Sequence, residues 1–159
     1  MLSLRDKLRS AAGTAAPRKA PAAVAADCYL RQERIPISRF DLPPVLSGET
    51  LTLMQGTPFA DCAREDVLFL DTETTGLSHG AGTVAFLVGV GFFEEDAFVV
   101  RQYLMRDYDE EPFVLSHVAE HLRRSRVICT FNGASFDLPL LEVRYTMQRM
   151  RSLYAAPPH

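Results

Sequence analysis

Three strands, a helix, a fourth strand and a second helix can be read in order from this 159-residue sequence, and that order predicts an α/β fold built on a mixed sheet. Three observations carry the expectation. Val67-Leu68-Phe69-Leu70, Thr83 to Phe93 and Phe98 to Met105 are apolar runs separated by turn-forming residues, the pattern of consecutive antiparallel strands. Val114, Val118 and Leu122, and then Phe136, Leu140, Val143 and Met147, recur at helical spacing. Between the two helices, Val127 to Phe131 reads as a short buried strand. A three-strand meander followed by βα units sets the helices against the sheet, with the first strand near its centre.

Before these elements the chain is different in kind. Residues 1–40 carry eight Lys/Arg and three Asp/Glu, and the remainder nine and seventeen, so a basic start of about +5 precedes a body of about −8. Met1 to Arg9 has Leu2, Leu4 and Leu8 in place for a short basic amphipathic helix. Ser10 to Ala26 is rich in Ala and Pro, cannot bury much surface, and reads as a linker. A transit peptide shares its basic, acid-poor character but is richer in serine. We therefore expect a flexible basic tail over 1–26, an irregular preamble over 27–60 and the α/β domain over 61–159. The preamble is punctuated by Pro36, Pro43, Pro44 and Pro58, and its piece Leu51-Thr52-Leu53-Met54 reads as a strand.

Composition excludes several classes. The longest apolar run, Val84 to Phe93, contains two glycines and is too short to span a bilayer, so no membrane partner is expected. Cys28, Cys62 and Cys129 are far apart, without the paired spacing of a zinc or redox motif, and read as reduced thiols of a cytoplasmic protein. An acidic body does not attract phosphate backbones by bulk charge, so nucleic acid would need metal ions or local cations here.

Within the domain, chemistry concentrates at two turns. Asp71 and Glu73 follow the first apolar run, where the strand is expected to end, and alternation points both from one face. Adjacent carboxylates repel unless a cation lies between them, and Mg²⁺ is commonly held by one or two carboxylates plus substrate phosphates. Gly76 permits a tight turn, and Ser78-His79-Gly80-Ala81-Gly82 reads as a flexible loop, since no phosphate-binding glycine motif is completed. Glu94-Glu95-Asp96-Ala97 is an acidic turn. Asp109-Glu110-Glu111-Pro112 suits a helix start with an Asp cap, and Arg123, Arg124 and Arg126 suit its end. Asn132-Gly133-Ala134-Ser135 then turns the chain into the second helix, with Ser135 as its cap and Pro139 tolerated in the first turn. Asp137 lies in that first turn, beyond the C-terminal end of a strand, where open α/β sheets usually bind ligands. Asn132 either contacts a ligand or shapes the turn. His117-Val118-Ala119-Glu120-His121 matches the H-x-x-E-H pattern of some zinc peptidases, but without a distal ligand these read as solvent-facing histidines.

Taken together, Asp71-Thr72-Glu73-Thr74-Thr75-Gly76-Leu77 resembles the first motif of the DnaQ-like, DEDD-type 3′–5′ exonucleases, and Asn132-Gly133-Ala134-Ser135-Phe136-Asp137 resembles their second. The spacing is similar to that of this ribonuclease-H-like superfamily, and Val84-Ala85-Phe86-Leu87-Val88-Gly89 to that of the bacterial YprB-type ribonuclease-H-like domain. The resemblance covers about Val67 to Met150. It implies hydrolysis of DNA or RNA phosphodiesters, at a single-stranded end, by two Mg²⁺ or Mn²⁺ ions. Asp71 would bridge both ions, Glu73 would hold one and Asp137 the other, with Thr74, Leu77 and Asn132 against the substrate. The family also uses a fourth carboxylate and a His or Tyr base after the second helix. Here only Glu142 is acidic beyond Asp137, and the chain stops at Pro157-Pro158-His159, so a truncated domain lacking its last strand and helix is expected. Its rivals are a non-catalytic nucleic-acid-binding module and a zinc hydrolase using His117 and His121.

Overall fold

The computed structural model describes residues 28–76 and 82–151. The tail expected over 1–26, Leu77, the loop residues 78–81 and the stretch 152–159 lie outside them.

The described chain runs β1 (Tyr29–Pro36), β2 (Val45–Leu46), α1 (Gly48–Gln55), β3 (Cys62–Ala63), β4 (Val67–Thr74), β5 (Ala85–Glu94), β6 (Ala97–Leu104), α2 (Glu111–Arg124), β7 (Val127–Cys129) and α3 (Asp137–Met147). Among the described residues five strands form one sheet, ordered β1-β6-β5-β4-β7, and β2 and β3 form a small ribbon. Strands β4, β5 and β6 make the expected antiparallel meander, and β7 joins β4 in parallel. The fold is thus the mixed α/β layer design that the order of elements predicts.

The proline-punctuated preamble contributes more regular structure than its composition suggests. Strand β1 pairs antiparallel with β6 from Tyr29↔Leu104 to Pro36↔Ala97. Proline is tolerated at such an edge because its missing N–H costs no ladder bond on the open side. Leu51 to Met54, expected as a strand, lies instead in α1. Local capping explains the correction. The Ser47 side chain accepts from Thr50 N at 3.3 Å, and Gly56, at φ 71°, ends the helix in the left-handed region. Only Leu51 of this helix is needed for the core, packing with Cys62, Val67 and Val127, while Leu53 and Met54 are exposed.

The main core lies on the other face of the sheet. Leu68 and Leu70 of β4, Val88 and Val90 of β5 and Tyr103 of β6 pack against Val114, Leu115 and Val118 of α2 and Leu140, Leu141 and Tyr145 of α3. The inner side of α3 therefore falls on Leu140, Leu141, Arg144 and Tyr145, and Met147, expected inside, is half exposed. Opposite α2 and α3, Phe40, Phe69, Phe93 and Phe98 form edge-on and tilted ring pairs. Gly91 makes room for this cluster: a Cβ there would stand 2.6 Å from the Phe98 ring.

Two helix starts differ from expectation. Asp107, not Asp109, caps a single 3₁₀ turn by accepting from Tyr108 N at 2.8 Å, and α2 begins at Glu111. Ser135 does not cap α3: its N–H donates to Asn132 O at 3.1 Å, and the helix starts at Asp137.

Helices α2 and α3 are tied together by a buried ion pair. Arg144 Nε and Nη2 donate to the two carboxylate oxygens of Glu111 at 2.6 and 2.7 Å, and Gln148 Nε2 donates to the same carboxylate. Glu111 sits in the first turn of α2, where the helix dipole also favours negative charge. Tyr145 Oη donates to Leu115 O at 2.5 Å, and burial pushes this phenol well above its ordinary range.

Candidate functional site

Asp71 and Glu73 lie within β4, paired with Gly89 and Leu87 of β5, rather than beyond the end of the strand. The strand persists because β5 continues alongside it as far as a bulge between Glu73 and Thr74. On its other side, pairing with β7 stops at Phe69↔Cys129. The C-terminal half of β4 thus projects past its parallel neighbour, and exposure alternates along it: Asp71 and Glu73 are exposed, Thr72 and Thr74 half-buried.

Asp137, the first residue of α3, is brought back against this same stretch and is 4% exposed. Thr72 Oγ1 donates to Asp137 Oδ1 at 2.5 Å, joining residues 65 apart in sequence. Thr72 points to the helix-bearing face, whereas Asp71 and Glu73 share the face of Val67 and Phe69. Asp137 thus meets the acidic strand from one side while the two acids emerge on the other. Among the described residues no group of three or more His, Cys, Asp or Glu is close enough to hold a metal ion. In chemical character the donors fit a hard divalent cation, since carboxylate and hydroxyl oxygens are the ligands such ions take.

The remaining site residues shape the rim. Thr74 Oγ1 donates to Gly76 O at 2.7 Å, and Thr75 Oγ1 accepts from Val84 N at 3.1 Å, closing the neck of the loop that follows β4. Strand β7, expected to reach Phe131, ends at Cys129 because the next residues form a tight turn. Gly133 N donates to Thr130 Oγ1 at 3.0 Å, and a Cβ at Gly133 would run into the Thr130 side chain. Asn132 takes φ 61°, a left-handed geometry that Asn tolerates, and its carbonyl accepts from the Ser135 and Phe136 N–H groups. Asn132 therefore shapes the turn, with its side chain exposed. Thr72 lies inside the first motif but carries no expected role there. Period-two alternation places Thr72 opposite the acids, but only the crossover brings Asp137 to it.

The histidine pair is not solvent-facing. His117 stacks on Tyr103 with ring centroids 5.0 Å apart, and His121 Nε2 lies 2.9 Å from Tyr103 Oη in the interface between α2 and the sheet. Glu120, between them, points outward to Arg124 at 2.6 Å. The spacing that would gather H-x-x-E-H around zinc is thus spent on packing. Burial, with Arg101 nearby, pulls His121 down to about 4 from its ordinary 6.5. The folded state binds this proton later than the unfolded chain, so stability is complete above pH 6.5 and falls as pH drops toward 4. We expect His121→Gln, which cannot titrate, to flatten that part of the profile. The change should be about 2 kcal/mol after allowing for partial solvent screening, measured by urea unfolding at pH 7 and pH 4.5. Equal pH slopes in both proteins would refute a buried neutral imidazole.

Comparison with known proteins joins this geometry to a lineage. The RNase H superfamily model matches residues 68–158, more than half of the chain. The chain belongs to the RNase H superfamily. The matched stretch takes in β4 with Asp71 and Glu73, the meander, and α3 with Asp137, so the family's sequence pattern coincides with the elements that build the site. The chain is also 34% identical over 88 residues to the uncharacterized protein YprB of Bacillus subtilis, a match covering 55% of this chain and 21% of that relative. The match thus spans about a fifth of the relative's length. No solved structure matches the chain. Membership places the domain among nuclease-like proteins that process nucleic acid, and no described helix is long and apolar enough to cross a membrane.

Proposed function

We propose that this domain is a metal-dependent nuclease of the DEDD type that removes nucleotides from the 3′ end of single-stranded DNA or RNA. The observation that carries this reading is the placement of two exposed carboxylates, Asp71 and Glu73, where β4 outruns β7, with the start of α3 bringing Asp137 against the same strand. The ends of parallel strands are where α/β sheets bind their ligands. Asp71 and Glu73 would hold Mg²⁺ or Mn²⁺ on the exposed face, and Asp137, kept on the other face by Thr72, would join the set through water. Two such ions would supply activation of the attacking water and stabilisation of the leaving 3′ oxygen. Thr72 orients Asp137 through its hydroxyl, and the Thr74 to Gly76 bond fixes the backbone that borders the terminal nucleotide. We read 61–159 as the catalytic unit, with β1 closing its sheet from the preamble, in a cytoplasmic protein.

The deciding assay is release of mononucleotides from 5′-labelled single strands of DNA and RNA, with Mn²⁺ present and with the metal chelated. A ladder shortening from the 3′ end, only with metal, is the expected result. Binding without any cleavage would favour a second reading, a nucleic-acid-binding module. That reading draws on the separation of Asp137 from the face that carries Asp71 and Glu73.

A further inference from the structure

Among the described residues the most exposed large apolar side chain is Phe131, at 92%. Single exposed apolar residues are common, so exposure alone decides nothing. The backbone around Phe131, however, is held on both sides. Thr130 accepts from Gly133 N, the Asn132 carbonyl accepts from Ser135 N and Phe136 N, and Leu138 N donates to Gly133 O at 2.9 Å. The ring is therefore presented to water by a fixed turn between β7 and α3.

Its position in the register is the second observation. Strands β4 and β7 run parallel, and their last pair is Phe69↔Cys129. Two residues further along each chain stand Asp71 and Phe131, and both are exposed. Phe69 and Cys129 pack on one face of the sheet, the face from which Asp71 and Glu73 emerge. Strand β7 gives way to the turn after Cys129, so Phe131 stands in the turn at the same end of the sheet at which Asp71 and Glu73 emerge from β4.

We infer that Phe131 is a stacking platform for the base of the nucleotide whose phosphate would be held through the metal at Asp71 and Glu73. This rests on the nuclease reading above and names how that site grips its strand. The body of the protein is acidic, so charge attraction contributes little to holding a single strand. Stacking does not depend on charge, and every base has a face to offer, so an aromatic platform binds without sequence preference. It also requires an unpaired base, which makes the site selective for single-stranded ends over duplex ends. Phe131 acts here as a positioning residue, setting where the terminal phosphodiester lies relative to the acids.

The chain contains no tryptophan, so Phe131→Trp installs a lone fluorescent reporter at the platform. With Ca²⁺ in place of Mn²⁺, which keeps a cation at the acids while slowing cleavage, a short oligodeoxyadenylate or oligoriboadenylate should quench the emission of this introduced indole. An abasic oligonucleotide of equal charge should not. Phe131→Ala should weaken binding of the same oligonucleotides about 5- to 150-fold, the range for loss of one base stack, and Phe131→Tyr should restore most of it. Blue-shifted indole emission that ignores oligonucleotides would show that protein covers this position, from a second copy or another segment, and would overturn the inference. So would equal binding of abasic and base-bearing strands. Cleavage that persists without quenching would remove the platform and leave the nuclease reading standing. Quenching without metal-dependent cleavage would keep the platform and remove the nuclease reading.

Discussion

Replacing Asp71 with Asn should lower Mn²⁺-dependent phosphodiester cleavage by about 10²–10³-fold, the loss typical when one group stabilising transition-state charge is removed. Asp71 is exposed and sits opposite Gly89, which has no side chain to disturb, so the substitution should leave unfolding within about 0.5 kcal/mol of the parent. The combination of lost turnover with preserved stability separates a functional carboxylate from a structural one. Thr72→Val provides the graded companion. It removes the hydroxyl bonded to Asp137 and keeps the shape, so the Mn²⁺ concentration needed for half-maximal rate should rise while folding is retained. Turnover unaffected by Asp71→Asn, in protein purified free of contaminating nuclease, would place the chemistry elsewhere.

Arg144→Met should destabilise the fold by about 3–5 kcal/mol, because it leaves Glu111 buried, charged and without its guanidinium. Glu111 is 3% exposed and Arg144 6%, so water cannot replace the missing partner cheaply. The expected fall in melting temperature is roughly 10–20 °C. Glu111→Leu should cost a similar amount for the mirror reason, since it removes the carboxylate that accepts two bonds from the buried guanidinium. The double replacement, Glu111→Leu with Arg144→Met, should recover much of the loss, since an apolar pair of similar volume removes the desolvation penalty. Calorimetry on the two single variants and the double variant measures the coupling. Additive losses in the double variant would mean that the pair acts through packing alone.

The strand and helix order was legible because burial imposes a period. Strands facing helices must carry apolar residues at every second place, as Leu68 and Leu70 do, and helices must do so at every third or fourth, as Val114 and Val118 do. Legibility failed where local hydrogen bonds outweigh that period. Leu51 to Met54 is apolar enough for a strand, yet the Ser47 cap and the Gly56 left-handed stop make it a helix. Val127 to Phe131 loses its last two residues to the turn that Thr130 and Gly133 close. The histidine motif misled for a different reason. Spacing places His117 and His121 on one helical face but does not say whether that face meets water or the sheet, and Tyr103 of β6 decides it.

The sequence by itself determined the superfamily, through the pattern that the family model matches over residues 68–158, and the face that Asp71 and Glu73 share, through the alternation of side chains along a strand. Only the tertiary structure decided what meets that strand. A crossover spanning the 65 positions from Thr72 to Asp137 brings that acid to the threonine rather than to the side of Asp71 and Glu73, and it puts the turn that holds Phe131 after the strand paired beside β4. The same packing pairs Glu111 with Arg144 across two helices. Such contacts depend on chain topology and on which polar groups burial forces to find partners, and neither is written in any local window of residues.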